Sequence, residues 1–149
     1  MIVLDTSVLS ELMRRRPATR VLRWVDEQDA NVLAITAVTV AELLYGVARL
    51  ADGARKAELA SAVDALVRED FSGRVLPFDA AAAGHYAALV AGRDRNGRPI
   101  SVADGQIAAI CRCHDARLAT RNVRDFAATG VTVLDPWDAA FKSRPRGAD

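Results

Sequence analysis

The segment Met1-Ile-Val-Leu-Asp5-Thr-Ser7 decides how the rest of the chain is read. Ile2, Val3 and Leu4 form an uninterrupted apolar run, the mark of a strand buried on both faces. Asp5, Thr6 and Ser7 follow at once, and all three are good helix-starting residues, so the strand leads straight into a helix. A strand buried on both sides needs helices above and below it, which is the condition of a parallel sheet. Working outward, apolar runs at 32–35, 74–76, 117–120 and 131–134 are further strands. Helical patterns fall at about 8–15, 18–28, 40–50, 54–69, 80–93 and 102–113, with breaks near Pro17, at Asp52-Gly53 and in the loop 94–99. Strands alternating with helices predict an α/β fold, a three-layer α/β/α sandwich with a mainly parallel central sheet. In such sheets the ligand crevice lies at the carboxyl ends of the strands.

No repeat or linker divides the 149 residues, so a single domain is expected over 1–141, with a polar C-terminal tail at 142–149. Half the chain is apolar and 26% is charged, which excludes a disordered chain. The formal net charge of +1 does not announce a nucleic-acid binder, so any cationic surface must be local. The start has no charged region before a long apolar core, and no apolar stretch is long enough to span a bilayer; the expected location is cytoplasmic, without membrane contact. Cys111 and Cys113 stand two apart on a helix and point to different sides, and with His114 they lack the second ligand pair of a zinc knuckle. They read as reduced, structural cysteines.

Four acidic regions fall where the strand-end rule places chemistry, and each has an ordinary structural explanation. Asp5 follows the first strand but is also a natural helix cap. Thr39-Val-Ala-Glu42 has the spacing of a capping box, although Glu42 lies opposite the apolar side formed by Val40, Leu43, Leu44, Val47 and Leu50. Ser101-Val-Ala-Asp104 repeats that spacing with a shorter acid. Asn122 and Asp125 follow the strand at 117–120, where Asn122 suits the start of a short helix and Asp125 a turn. Taken together they point elsewhere. Carboxylates gathered within ~6 Å repel one another and raise each other's pKa unless a cation sits among them. Oxygen ligands without His or Cys suit Mg²⁺, or Mn²⁺, rather than zinc.

The stretches Met1–Met13, Thr36–Gly46, Ile100–Ala109, Leu118–Phe126 and Val131–Trp137 resemble, in order, those of PIN-domain ribonucleases, specifically VapC-type toxins of toxin–antitoxin systems. The resemblance spans nearly the whole chain. It implies a metal-dependent endoribonuclease, a homodimer, and inhibition by a small cognate antitoxin whose tail covers the pocket. By position, Asp5, Glu42 and Asp104 match the family's first three acids, and Thr6 matches the hydroxyl that supports the first of them. The family's fourth acidic position aligns with Asn122, and Asp125 is the nearby carboxylate that can take its place.

The expected chemistry is phosphodiester hydrolysis with Mg²⁺ held by Asp5, Asp104 and Glu42, a second ion being optional. Since carboxylates repel phosphate, RNA must be held by cations outside the pocket. Candidates are Arg14–Arg16, the loop residues Arg93, Arg95 and Arg98, and Arg121 and Arg124; Arg95 and Arg98 adjoin Asp104 and are favoured. A haloacid-dehalogenase phosphatase would need a second Asp where Ser7 stands. The remaining alternative is a binding or regulatory module that keeps the PIN fold without catalysis.

Overall fold

A computed structural model describes residues 1–140, so the tail expected at 142–149 lies outside the described residues. Five strands, β1 (Ile2–Leu4), β2 (Leu33–Thr36), β3 (Val75–Leu76), β4 (Arg117–Ala119) and β5 (Val133–Leu134), form one sheet in the order β3-β2-β1-β4-β5. Every pairing is parallel. Residues of β1 lie opposite residues of both β2 and β4: Ile2 pairs with Leu33 and Arg117, Val3 with Ala34 and Leu118. The apolar run at the amino terminus is therefore the central strand, fully buried along its length.

Six helices cover the sheet: α1 (Thr6–Leu12), α2 (Thr19–Asp26), α3 (Ala37–Ala48), α4 (Ala54–Ala65), α5 (Ala80–Arg95) and α6 (Val102–Cys113). Side chains alternate across a strand, and the two cores follow from that alternation. Ile2, Leu4, Leu33 and Ile35 face one core with Val8, Val21, Trp24, Leu43 and Val63 from α1 to α4. Val3, Ala34 and Leu118 face a second core with Leu89, Ile107, Ala108 and Cys111 from α5 and α6. This is the three-layer sandwich expected. Small residues let α6 lie close to α5: a Cβ on Gly105 would meet Tyr86 Cε2 at 3.0 Å. Burial pushes the Cys111 thiol up to about 12, with the charge of Asp5 adding to the effect, so it is an inert core residue. Cys111 and Cys113 are both free. Among the described residues no helix is long and apolar enough to cross a membrane.

Several helix starts differ from expectation. Helix α1 begins at Thr6 instead of position 8, and α3 begins at Ala37, three residues before position 40. In both cases the chain turns helical as soon as the strand ends; at α3 the Thr36 hydroxyl supplies the cap, whereas no side chain caps α1. Helix α4 stops at Ala65 and continues as one wider π turn, Leu66–Asp70. Helix α5 runs on to Arg95, which places Arg95 on a helix and leaves only Arg98 on the loop.

Arg93, expected among the RNA-facing cations, is instead buried, 6% exposed. Its guanidinium donates to the carbonyls of Arg98 (2.6 Å), Asp125 (3.2 Å), Pro99 (3.5 Å) and Ala127. It ties the end of α5 to the loop before α6 and to the 3₁₀ turn Val123–Phe126. Replacing it by an apolar residue strands several buried carbonyls, each worth on the order of 1–3 kcal/mol. Arg93→Leu is accordingly expected to lower the unfolding free energy by at least that much, read as a lower urea midpoint at unchanged slope; an unchanged midpoint would show that water replaces the guanidinium.

Candidate active site

The strand order sets the location. From β1 the chain moves outward to β2 and β3, then returns across the sheet to place β4 on the other side of β1. The carboxyl ends of β1 and β4 thus flank the point where the winding reverses, the usual ligand crevice of an open α/β sheet. Asp5 follows β1 there, and Thr120 follows β4.

Asp5 extends the ladder by one bond, its amide donating to Ala119 O at 2.9 Å. It occupies the cap position of α1, yet its carboxylate caps nothing. Instead Asp5 Oδ2 accepts from Thr120 Oγ1 at 2.7 Å and from Ser7 Oγ at 3.0 Å. Those hydroxyl oxygens in turn accept from the amides of Asn122 (3.0 Å) and Arg121 (3.1 Å). A hydroxyl has one proton, so an amide donating into its oxygen leaves that proton for the carboxylate. The backbone after β4 therefore orients both hydroxyls onto Asp5, which is only 4% exposed.

Glu42 is held differently. The cap of α3 is Thr36, whose Oγ1 accepts from the amide of Thr39 at 3.0 Å. Thr39 consequently lies within the first turn, fully buried, and Thr39-Val-Ala-Glu42 is not a capping box. The carboxylate of Glu42, one turn further on and exposed, accepts from Thr6 Oγ1 at 2.8 Å. Thr6 lies 3.1 Å from Thr39 Oγ1, which lies 3.3 Å from Thr36 Oγ1. Because a carboxylate at the end of such a chain only accepts, its hydroxyl protons are directed toward Glu42. Thr6 therefore supports the second acid, whereas Ser7 and Thr120 support the first.

Asp104 sits in the first turn of α6, whose cap is Ser101 as expected; the Asp104 amide donates to Ser101 Oγ at 3.2 Å. Its carboxyl lies above the ordinary range. Burial is the main cause, and the charges of Asp5, Asp125 and Glu42 push the same way, against a lowering hydrogen bond from Ser101. Acids from four separated segments thus share one electrostatic neighbourhood. Asp125, exposed on the 3₁₀ turn, belongs to it; Asn122 reaches it through its amide bond to Thr120.

The donor set fits a hard cation by its chemistry, oxygen throughout with like charges crowded at Asp104. Among the described residues no group of three or more His, Cys, Asp or Glu side chains is disposed to hold a metal ion in the present arrangement. Glu42 stands in the second turn of α3 and Asp104 in the first turn of α6, so the two acids reach the site from separate helices.

The expected cations scatter. Arg14 pairs with the buried Glu11 at 3.2 Å, and Arg121 lies 5.2 Å from the Trp137 ring centroid. The Arg95 guanidinium folds back over Gly92 of its own helix. Arg98 and Arg124 line one cavity together. The positioning roles of Ser7, Thr39 and Thr120 were not anticipated from the sequence. For Thr120 the signal was present, since it follows β4 as Asp5 follows β1.

The PIN-domain family model matches residues 2–131. The chain belongs to the PIN-domain family. It is 41% identical over 140 residues to "VapC ribonuclease Y4jK" of Sinorhizobium fredii, covering 94% of this chain and 100% of that protein. It is 40% identical over 137 residues to "Toxin FitB" of Neisseria gonorrhoeae, covering 92% and 99%. The solved structure of FitAB bound to an IR36 DNA fragment matches this PIN domain with a TM-score of 0.89 at 38% identity, covering 96% of this chain and 100% of that one.

The raised carboxyl of Asp104 carries a pH signature. Its folded pKa lies above the unfolded value of 3.8, so the folded state holds more protons between the two. Stability then falls as pH rises through that window and stays lowered above it. Asp104→Asn keeps the amide bond to Ser101 and removes the charge. With chelator present, it is expected to be more stable than wild type at neutral pH, the advantage shrinking as pH falls below the window. Equal urea midpoints at neutral pH would mean that the neighbouring acids do not strain the fold.

Proposed function

We propose that this PIN domain is an endoribonuclease, the toxin of a toxin–antitoxin pair, that hydrolyses RNA with a divalent cation held by Asp5, Asp104 and Glu42. The observation that carries the reading is the treatment of the acids. Asp5 and Glu42 are each held by hydroxyls oriented from the backbone or from a threonine chain, and both raise the pKa of Asp104. Ordinary surface acids need no such support. The ribonuclease and toxin names of the relatives, at 40–41% identity over nearly their full length, support the same reading.

Oxygen-only donors favour Mg²⁺, with Mn²⁺ as a substitute. When bound, the ion supplies positive charge against the phosphate and acidifies the attacking water. The chain's own part is positional. Ser7 and Thr120 fix the Asp5 carboxylate, Thr6 fixes Glu42, and Asp125 adds negative charge at the rim, with Asn122 beside it. Hydrolysis forms a bond from water oxygen to phosphorus and breaks the bond to one ribose oxygen.

A toxin needs a neutralising partner. An open groove of about 230 Å³ between α1, α3 and α4 runs from Thr6 and Glu42 along Met13, Leu43, Val47 and Val63. An antitoxin segment lying there with an apolar face would cover Glu42.

The deciding experiment is cleavage of cellular RNA by purified protein with Mg²⁺, with chelator, and as the Asp5→Asn variant. Cleavage is expected to require both the metal and Asp5; metal binding without cleavage would leave a non-catalytic PIN module. Glu42→Gln keeps the acceptor for Thr6 and should fold normally while losing cleavage. Thr6→Val removes the support of Glu42 together with the contact to Thr39, and a loss of about 10–100-fold is expected, the usual effect of disturbing a group that orients a metal ligand. Full activity in both variants would return Glu42 to a structural role.

A further inference from the structure

We infer that Arg98 and Arg124 form a binding site for an RNA backbone phosphate beside the carboxylate cluster, with Arg93 holding them in place; this rests on the ribonuclease reading above. The two arginines line a cavity of about 460 Å³ whose other walls are Arg93 and Ala127. No carboxylate lines it. None of the ion pairs among the described residues includes Arg93, Arg98 or Arg124.

Arg93 makes this positive charge permanent. Its partners are all carbonyl oxygens, so its hydrogen bonds are satisfied while its charge is not neutralised. The same bonds fix the walls. Arg93 grips the carbonyls of Pro99 and Arg98 on one side, and of Asp125 and Ala127, flanking the turn that carries Arg124, on the other. Arg98 and Arg124 are exposed, and no side-chain hydrogen bond of either is formed among the described residues. Cations without an anion favour an anionic ligand, and planar guanidinium groups suit phosphate oxygens.

The cavity also lies where a substrate strand needs it. Arg98 precedes Ser101, the cap above Asp104, by three residues, and Arg124 adjoins Asp125, whose charge reaches Asp104. The proposal places one phosphodiester of the strand at the acids and a neighbouring one at this cavity. Of the other candidate cations, Arg14 pairs with Glu11, Arg121 packs over Trp137 and Arg95 folds back over its own helix.

The test measures binding apart from cleavage, using full-length Asp5→Asn protein and a labelled single-stranded RNA of mixed sequence over a range of salt. In that background Arg98→Gln and Arg124→Gln are each expected to flatten the plot of log Kobs against log salt by about 0.7, and the double variant by about 1.4. Arg95→Gln should leave the slope unchanged, and the exposed positions predict unaltered thermal melting. Wild-type-like slopes in the double variant, with RNA still bound, would overturn the phosphate site and leave the ribonuclease reading standing. No salt-dependent RNA binding by the Asp5→Asn parent, under conditions where it is folded, would overturn both.

Discussion

The hydrogen bond from Thr120 Oγ1 to Asp5 Oδ2, 2.7 Å long, joins two strand ends that are 115 residues apart in the chain. It exists only because β4 returns to the free side of β1 in parallel register, so that each strand delivers its next residue to the same edge of the sheet. The helices of both layers depend on that same register. Ile2 and Leu4 must face one core while Val3 faces the other, and a one-residue slip would exchange them. Asp5 would then leave the crevice together with its strand. The requirement to bury both faces of β1 and the placing of the first acid are one constraint.

Around that junction the site stores electrostatic tension and distributes its supports. Four acids arrive from β1, α3, α6 and the 3₁₀ turn, and the cost of gathering them shows at Asp104. Hydroxyls donate hydrogen bonds to the Asp5 and Glu42 carboxylates and hold them in place. A cation would offset that cost. This explains why the fold tolerates an arrangement that a purely structural protein has no reason to keep.

Arg93 plays the complementary role on the positive side. A buried guanidinium bound only by carbonyls ties three segments together and keeps an unneutralised charge close to the acids. The turn that carries Asp125 of the acidic cluster is the one whose Asp125 and Ala127 carbonyls accept from Arg93. Net charge conceals this, since the chain carries only +1.

Much of the fold was legible because its periods are strong. The apolar runs are strands, the breaks at Asp52-Gly53 and around Pro99 separate helices, and alternating elements imply a parallel sheet with helices on both faces. The positions of Asp5, Glu42 and Asp104 after strands or at helix starts were equally readable, and the ordered resemblance gave them a common meaning. Local spacing misled where two caps competed: Thr39 and Glu42 had the spacing of a capping box, yet Thr36 took the cap because α3 starts directly at the end of β2. Loop arginines could not be sorted from sequence at all, since burial of Arg93, the turning back of Arg95 and the facing of Arg98 toward Arg124 are contacts across the fold. Sequence by itself determined which elements form and where the acidic side chains fall on them, because periodicity and residue type act over a few positions. Tertiary structure alone decided which hydroxyl holds which acid and which arginines share a wall, because those partners meet only when β4 closes against β1.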